Sequence, residues 1–390
     1  MDPADQKKLL QDRSLRIIFS ITLMAVMGVA SISPVLPDVQ KVFGIGKQEV
    51  GLLIVAFTLP GIFLSPFLGI LADRYGRKGI LVPSLFLFAI AGTACGFVDD
   101  FDWLIGLRFL QGIGGAAIGS INITLIGDLY AGKTMAKAMG YNASVLSIGT
   151  AAYPAIGGGL AMLGWYYPFF FPIVAIPVGL LVLFKLNNPD PEINHRFWNY
   201  IRQTLTYLNK KDVIGLFLIS ILTFIILYGA FLTYIPLLLN DSFKAEAWQI
   251  GIILSFSSIV TAVTSSQLEL FLNRMGRRKL LMLAYVSYGV SMLSILIMPG
   301  IWYLLISVFF FGLAQGINIP SVQSMLAGKA PIQIRAVFMS INGSVLRLGQ
   351  TLGPLVMGWV YVSFNLAATF IAAFFIALMM ISIVFFLIKN

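Results

Sequence analysis

The chain has 390 residues, 58% hydrophobic and 11% charged, with a mean hydropathy of +0.91 and a formal net charge of +10. So apolar a composition excludes a soluble globular protein and marks an all-α polytopic membrane protein, whose backbone groups must be satisfied within each span. One cysteine (Cys95, in an apolar stretch) and one histidine (His195, in a polar one) exclude an internal disulfide, a thiolate cluster and an imidazole metal site or catalytic triad, so neither metal nor cofactor is expected.

Residues 1 to 14 are polar and carry Lys7, Lys8 and Arg13. No small-residue cleavage site follows the first apolar run, which is therefore read as a spanning helix and not a signal peptide. Six spans are predicted over Leu15–Pro37, Val50–Leu71, Gly79–Val98, Trp103–Ile126, Met135–Leu163 and Trp165–Leu186. Six more follow over Val213–Leu239, Ile250–Leu272, Leu280–Met298, Ile301–Leu326, Ala336–Val362 and Ala367–Ile388. Each holds roughly twenty residues or more, enough to cross a ~30 Å hydrocarbon core at ~1.5 Å per residue.

Between spans two and three lies Gly69-Ile-Leu-Ala-Asp-Arg-Tyr-Gly-Arg-Lys78, too charged to remain in hydrocarbon. Arg274, Gly276 and Arg277 stand where a shift of 200 from Arg74, Gly76 and Arg77 would put them. Spans five and eleven repeat more closely: residues 142–158 set over 342–358 agree at seven of seventeen positions without a gap. The chain thus divides into a six-helix half at 1–186, a linker at 187–211 and a second half at 212–390. Within the linker, Phe197, Ile201, Leu205 and Leu208 recur at helical spacing opposite Arg202, Asn209 and Lys210. Two readings of it are open, a short helix on the inner membrane surface or an irregular tether.

With both termini inside, three of the 26 Lys and Arg lie outside (Lys41, Lys47, Lys244), two lie within spans (Arg108, Arg347) and the other 21 lie inside. That asymmetry predicts cytoplasmic termini and makes the basic charge a topology signal, not a nucleic-acid footprint. Duplicated helical halves are the build of secondary transporters, with a site near the midplane and alternating access. Neither an enzyme nor direct ATP drive is expected, the latter because the chain is read as having no nucleotide loop of the G-x-x-x-x-G-K-S/T kind.

At these residues the sequence resembles the major facilitator superfamily, and within it the twelve-span drug:proton antiporters. Gly69, Asp73, Arg74, Gly76, Arg77 and Lys78 fit the family's loop signature G-x-L-A-D-R-x-G-R-K, and residues 104–114 fit the helix 4 signature L-x-x-x-R-x-x-Q-G-x-G. The antiporter pattern G-x-x-x-G-P-x-x-G-G of helix 5 is met at Gly149, Pro154, Gly157 and Gly158, with Tyr153 where a glycine is expected. Helix 11 has Gly349, Gly353 and Pro354 in the purer form. The resemblance implies that Asp73 rests on the amino end of helix 11 near Ala336 and that Arg77 bridges to Asp128, together a conformational latch. The plainer reading is a basic loop that only fixes topology.

It further implies a proton-coupling role for Arg108. Related antiporters place a carboxylate in mid-helix 1, which is absent here, so Asp38 is the partner by elimination, or else a surface cap. Glu269, near the inner end of span eight, is a second acid at risk of burial. Arg347 has Ser147 as its repeat counterpart and is either a neutralised fixed charge or an anchor for an anionic group. On helices 1, 4, 7 and 10, which line the family's cavity, stand Ser31, Ser33, Asn122, Thr124, Tyr228, Tyr234, Gln315, Asn318 and Gln323. The expected activity is proton-coupled efflux of drug-like or lipophilic small molecules by a monomer in a bacterial inner membrane. The alternative is a facilitator or flippase for a lipid-like or anionic metabolite.

Overall fold

Twelve helical rods follow one another in the computed structural model, which describes residues 9–186, 210–329 and 335–387 and has no strand among them. The interfacial helix expected within 187–209 lies outside the described residues, as do the side chains of Asp73 and Ala336. Helix α1 comprises Arg13–Ala30 and Leu36–Phe43, α2 Lys47–Val50 and Leu52–Tyr75, α3 Arg77–Ala94, α4 Phe101–Leu129, α5 Gly132–Ala161, and α6 Tyr167–Phe170 and Ala175–Lys185. The second set begins with α7, which runs from Lys211–Ile225 through a π-helical Ile226–Tyr234 into Ile235–Phe243. Next come α8 (Ala247–Ser266 and Leu268–Met275), α9 (Arg277–Ser294), α10 (Leu304–Lys329), α11 (Arg335–Ser363) and α12 (Leu366–Phe386).

Ten of these rods are long and apolar enough to cross a bilayer. The other two, α5 and α11, have 30 and 29 residues. Glycines and hydroxyls in α5, and Arg347 and Gln350 in α11, lower their hydropathy. Both pack against the other half of the chain, α5 on α8 and α11 on α2, so part of each is shielded from lipid.

Buried apolar side chains form two separate cores, one drawn from Leu9 to Leu186 and the other from Val213 to Val384. The repeat is visible in backbone detail. Gly76 and Gly276 each join two helices at φ 85° and 73°, a left-handed region that costs a residue with a Cβ about 1 kcal/mol or more. The acid opening each half is tied to the end of that half's fourth helix: Tyr130 Oη donates to Asp12 at 2.7 Å, and Lys329 pairs with Asp212. A polar cluster recurs as well. Asn122 Nδ2 donates to Thr22 Oγ1 at 2.6 Å in the first half, and Asn318 Nδ2 to Thr223 Oγ1 at 2.7 Å in the second.

One sequence expectation is corrected here. Gly127-Asp-Leu-Tyr-Ala-Gly-Lys-Thr134 spells the phosphate-loop pattern G-x-x-x-x-G-K-T. That pattern cradles phosphate when it follows a β-strand and opens a helix. In this chain its first glycine belongs to α4 and its second opens α5, so the strand is missing and the match is one of spelling alone.

Candidate functional site

The first helix begins and the twelfth ends on one face, called terminal below; the opposite face is distal. Hydrogen bonds, an ion pair and close glycine contacts join the two halves from the midplane to the distal face. At the distal rim Lys47 pairs with Asp241. Deeper, Thr58 and Thr351 hydroxyls meet at 2.9 Å, and Ala155 N donates to Ser255 Oγ at 3.0 Å.

Proline creates one of these bonds. Pro236 has no N–H to return to the Leu232 carbonyl four residues back, and Ser33 of the first half donates to that carbonyl instead. The helix 5 motif acts through absence of side chains. A Cβ on Gly157 would stand 1.9 Å from the Ser31 carbonyl oxygen, and one on Gly158 would stand 2.3 Å from that of Ala247. Pro154 presents its carbonyl to Gly251, where a Cβ would lie at 2.3 Å. Gly149 faces Leu23 and Val26 of α1, while Tyr153 is buried edge-on to Phe171 at 5.5 Å. These residues seal α5 to α1 and α8.

Arg108 is sealed within the first half at 0% exposure. Pro34 begins a break in α1 in which Ile32 N turns to the Val29 carbonyl at 3.1 Å, freeing the Gly28 carbonyl. Arg108 Nη2 takes that acceptor at 2.8 Å, Nη1 donates to Gln111 Oε1 at 2.6 Å and Nε to the Leu53 carbonyl at 3.3 Å. The guanidinium also lies 4.7 Å from the Phe57 ring centroid. Its partners are carbonyls, an amide and a ring, not a carboxylate. Asp38 sits ten residues beyond Gly28 on α1, about 15 Å along the axis. It is half-buried near Lys41, and the structure does not bring it to Arg108.

Arg347 is different. It stands twelve residues into α11, about 18 Å from the start of that helix, yet it is only half-buried. Its stem crosses α2 at Gly61, where a Cβ would lie 2.2 Å from Cδ, and its Nη2 donates to the Gly115 carbonyl of α4 at 3.1 Å. Tyr228, on the π-helical turn of α7, is within electrostatic reach and stacks on Phe224 at 5.8 Å.

The other predicted cavity residues separate by environment. Asn122 and Asn318 are 4% and 1% exposed and bonded within their own halves, so neither faces the gap. Tyr234 is fully buried toward the distal face, beside Tyr361. Gln315 is buried with Nε2 unpartnered, and Ser31 returns its hydroxyl to the Met27 carbonyl at 2.8 Å. Thr124 is half-buried and Gln323 exposed. At the terminal face Arg77 Nε donates to Asp128 Oδ2 at 2.8 Å. Arg74 lies over the Tyr75 ring, and Gly69 and Lys78 flank the turn. The Asp73 contact with α11 lies outside the described residues. Sequence reasoning missed Thr22, Thr223 and Ser33 as bonding partners; their only signal was a hydroxyl in an apolar span.

Two related helical halves, each with its own core and joined by contacts from the midplane to the distal rim, are the build of a membrane transporter. The chain belongs to the Major Facilitator Superfamily, whose sequence model matches residues 18–268 and 217–390. It is 26% identical over 369 residues to multidrug resistance protein 2 of Bacillus subtilis (strain 168), covering 92% of this chain and 91% of that protein. Similarity to quinolone resistance protein NorA of Staphylococcus aureus (strain Mu50 / ATCC 700699) is 25% over 353 residues, 89% of each chain. A crystal structure of a mutant nucleoside transporter NupG shares the fold with a TM-score of 0.81 at 14% identity, covering 97% of this chain and 100% of that one.

Proposed function

We propose that this transporter exports drug-like, amphiphilic small molecules against a proton gradient, working as a monomer with both termini in the cytoplasm of a bacterium. The observation that carries the reading is the set of contacts that join the halves from the midplane to the distal rim, the Thr58–Thr351 hydroxyls and the Lys47–Asp241 pair among them. In this reading the opposite, more basic side is the one that opens to the cytoplasm to load cargo. The multidrug and quinolone resistance relatives support export and drug-like cargo.

Proton coupling is assigned to the region of Arg108 and Asp38, the latter the one carboxylate set among the apolar turns of α1. The latch is assigned to Asp73, Arg74, Arg77 and Asp128 on the terminal face, where the Arg77–Asp128 pair holds the α2–α3 turn to the end of α4.

The test is export of an uncharged fluorescent amphiphile, the methyl ester of dansylaminoundecanoic acid, from proteoliposomes with and without an imposed pH gradient. Accelerated export that stops when the gradient is collapsed supports the reading. Equal rates with and without protein contradict it.

A further inference from the structure

We propose that Arg347, with the Tyr228 hydroxyl and the Phe224–Tyr228 aromatic face beside it, is a recognition point for a single anionic head group, carboxylate or phosphate, on an amphiphilic cargo. The proposal rests on the gap being the transport path.

Four observations carry it. First, the two arginines placed inside spans differ in how they are satisfied. Arg108 is sealed and uses all three guanidinium nitrogens on protein acceptors. Arg347 keeps part of its surface open, and among the described residues it has one acceptor, the Gly115 carbonyl. A guanidinium has five N–H donors in a planar fork, so four remain, and none of its nitrogens is a buried unpartnered atom. Those donors have no acceptor among the described residues.

Second, no countercharge stands beside Arg347 among the described residues. The carboxylate residues in the described stretches, apart from Asp38, stand near helix ends or in connections. No carboxylate pairs with Arg347 among the described residues. A cation held about 18 Å from a helix end without an acid beside it attracts a mobile anion.

Third, the position is built to hold this side chain across the interface. Gly61 on α2 and Gly119 on α4 leave the room it occupies, a Cβ at either being within 3 Å of it, at 2.2 and 2.9 Å. Because Arg347 belongs to the second half and its acceptor to the first, an anion bridging the remaining donors is sensed by both halves.

Fourth, the neighbouring surface is aromatic. Phe224 and Tyr228 are both half-buried and stack at 25° between planes, a wall suited to an apolar or aromatic body. The Tyr228 hydroxyl has no hydrogen bond to a described residue, nor is it sealed from solvent. Fork, hydroxyl and aromatic face together match an anionic head on an apolar frame.

The experiment uses the full chain in phosphatidylcholine nanodiscs and dansylaminoundecanoic acid as probe, with its methyl ester as the matched uncharged compound. Fluorescence titration is expected to show the acid binding at least tenfold more tightly than the ester. Arg347→Gln should remove that preference, Arg347→Lys should retain part of it, and Tyr228→Phe should weaken the acid alone by about threefold. A parallel titration of wild type needs no variant to fold: decanoate should displace the probe and decylamine should not. Replacing phosphatidylcholine with phosphatidylglycerol separates the sources of the anion. Loss of probe binding would place a lipid head group at Arg347, and unchanged binding would leave a soluble amphiphile.

Equal affinity for acid and ester in wild type, or an acid preference that survives Arg347→Gln in a folded protein, would overturn the proposal. Export of the ester in proteoliposomes reports separately on the transport reading. Export without acid preference removes this inference alone, and acid binding without any export removes the transport reading.

Discussion

Adding one methyl group at residue 158 should hold the transporter away from the distally closed state. The Cβ of Gly158→Ala would stand 2.3 Å from the Ala247 carbonyl oxygen and 3.0 Å from its carbon. Ordinary carbon–oxygen approaches begin near about 3.3 Å, so α5 and α8 must separate by about 1 Å. Both sides of the contact are backbone, and no flexible side chain can yield in their place. Overpacking on this scale costs about 1–3 kcal/mol. It falls only on the state in which these helices touch, so the conformational equilibrium should shift by about 5- to 150-fold.

Thr58 is a suitable reporter, being 1% exposed and bonded to Thr351 across a different helix pair. In a Thr58→Cys, Cys95→Ala background, a membrane-impermeant maleimide should label residue 58 from the distal side at least fivefold faster when Gly158→Ala is added. Gly159→Ala is the control, because nothing lies within 4 Å of a Cβ there. Equal labelling with Gly158→Ala and Gly159→Ala, in protein that inserts normally, would refute the argument that backbone contact at Gly158 seals this face.

Arg108→Lys should abolish at least nine-tenths of export in proteoliposomes while leaving insertion intact. One ammonium cannot reach the Gly28 and Leu53 carbonyls and the Gln111 amide in the same fork geometry. Asp128→Asn should raise distal labelling or lower export by no more than about fivefold, since a partly exposed pair contributes about 0–1 kcal/mol; side-chain exposures are 15% for Arg77 and 32% for Asp128. Asn318→Leu should lower the thermal midpoint of purified protein by leaving Tyr285 Oη and Thr223 Oγ1 without their partner, and the affinity for transported amphiphiles should hardly change. A larger loss of affinity than of stability would return Asn318 to the gap.

Much of this architecture was written in local chemistry. Long apolar runs, basic turns at Gly76 and Gly276, and the repeat around Asn142 and Asn342 each follow from neighbours in sequence, and they specify helices, faces and two related halves. The two intramembrane arginines also stood out, since a charge in a span needs a reason. Their partners did not. Arg108 is held in part by the Gly28 carbonyl, freed where α1 breaks before Pro34, and a freed carbonyl has no letter of its own in a sequence.

The same limit explains Asn122 and Asn318. A helix within a bundle of this kind has a lipid face, a core face and a gap face, and polarity alone does not say whether an amide meets the gap or, as here, a threonine on the next helix. Asp38 was chosen by elimination, and the helical rise sets it too far along α1 to reach Arg108. The glycines of α5 were recognised as a motif, but their function as contact points for Ser31 and Ala247 needed the packed helices.

The central claim is that the two halves rock about a midplane gap, opening one face as the other closes. Paired spin labels at Val42 and Ser242 on the distal side, and at Tyr75 and Met275 on the terminal side, occupy repeat-related and exposed positions. Distances measured between each pair by pulsed electron resonance should change in opposite directions when pH or an amphiphilic cargo is varied. The distal pair should lengthen as the terminal pair shortens. Two distances that stay fixed under every such condition, or that lengthen together, would contradict the account.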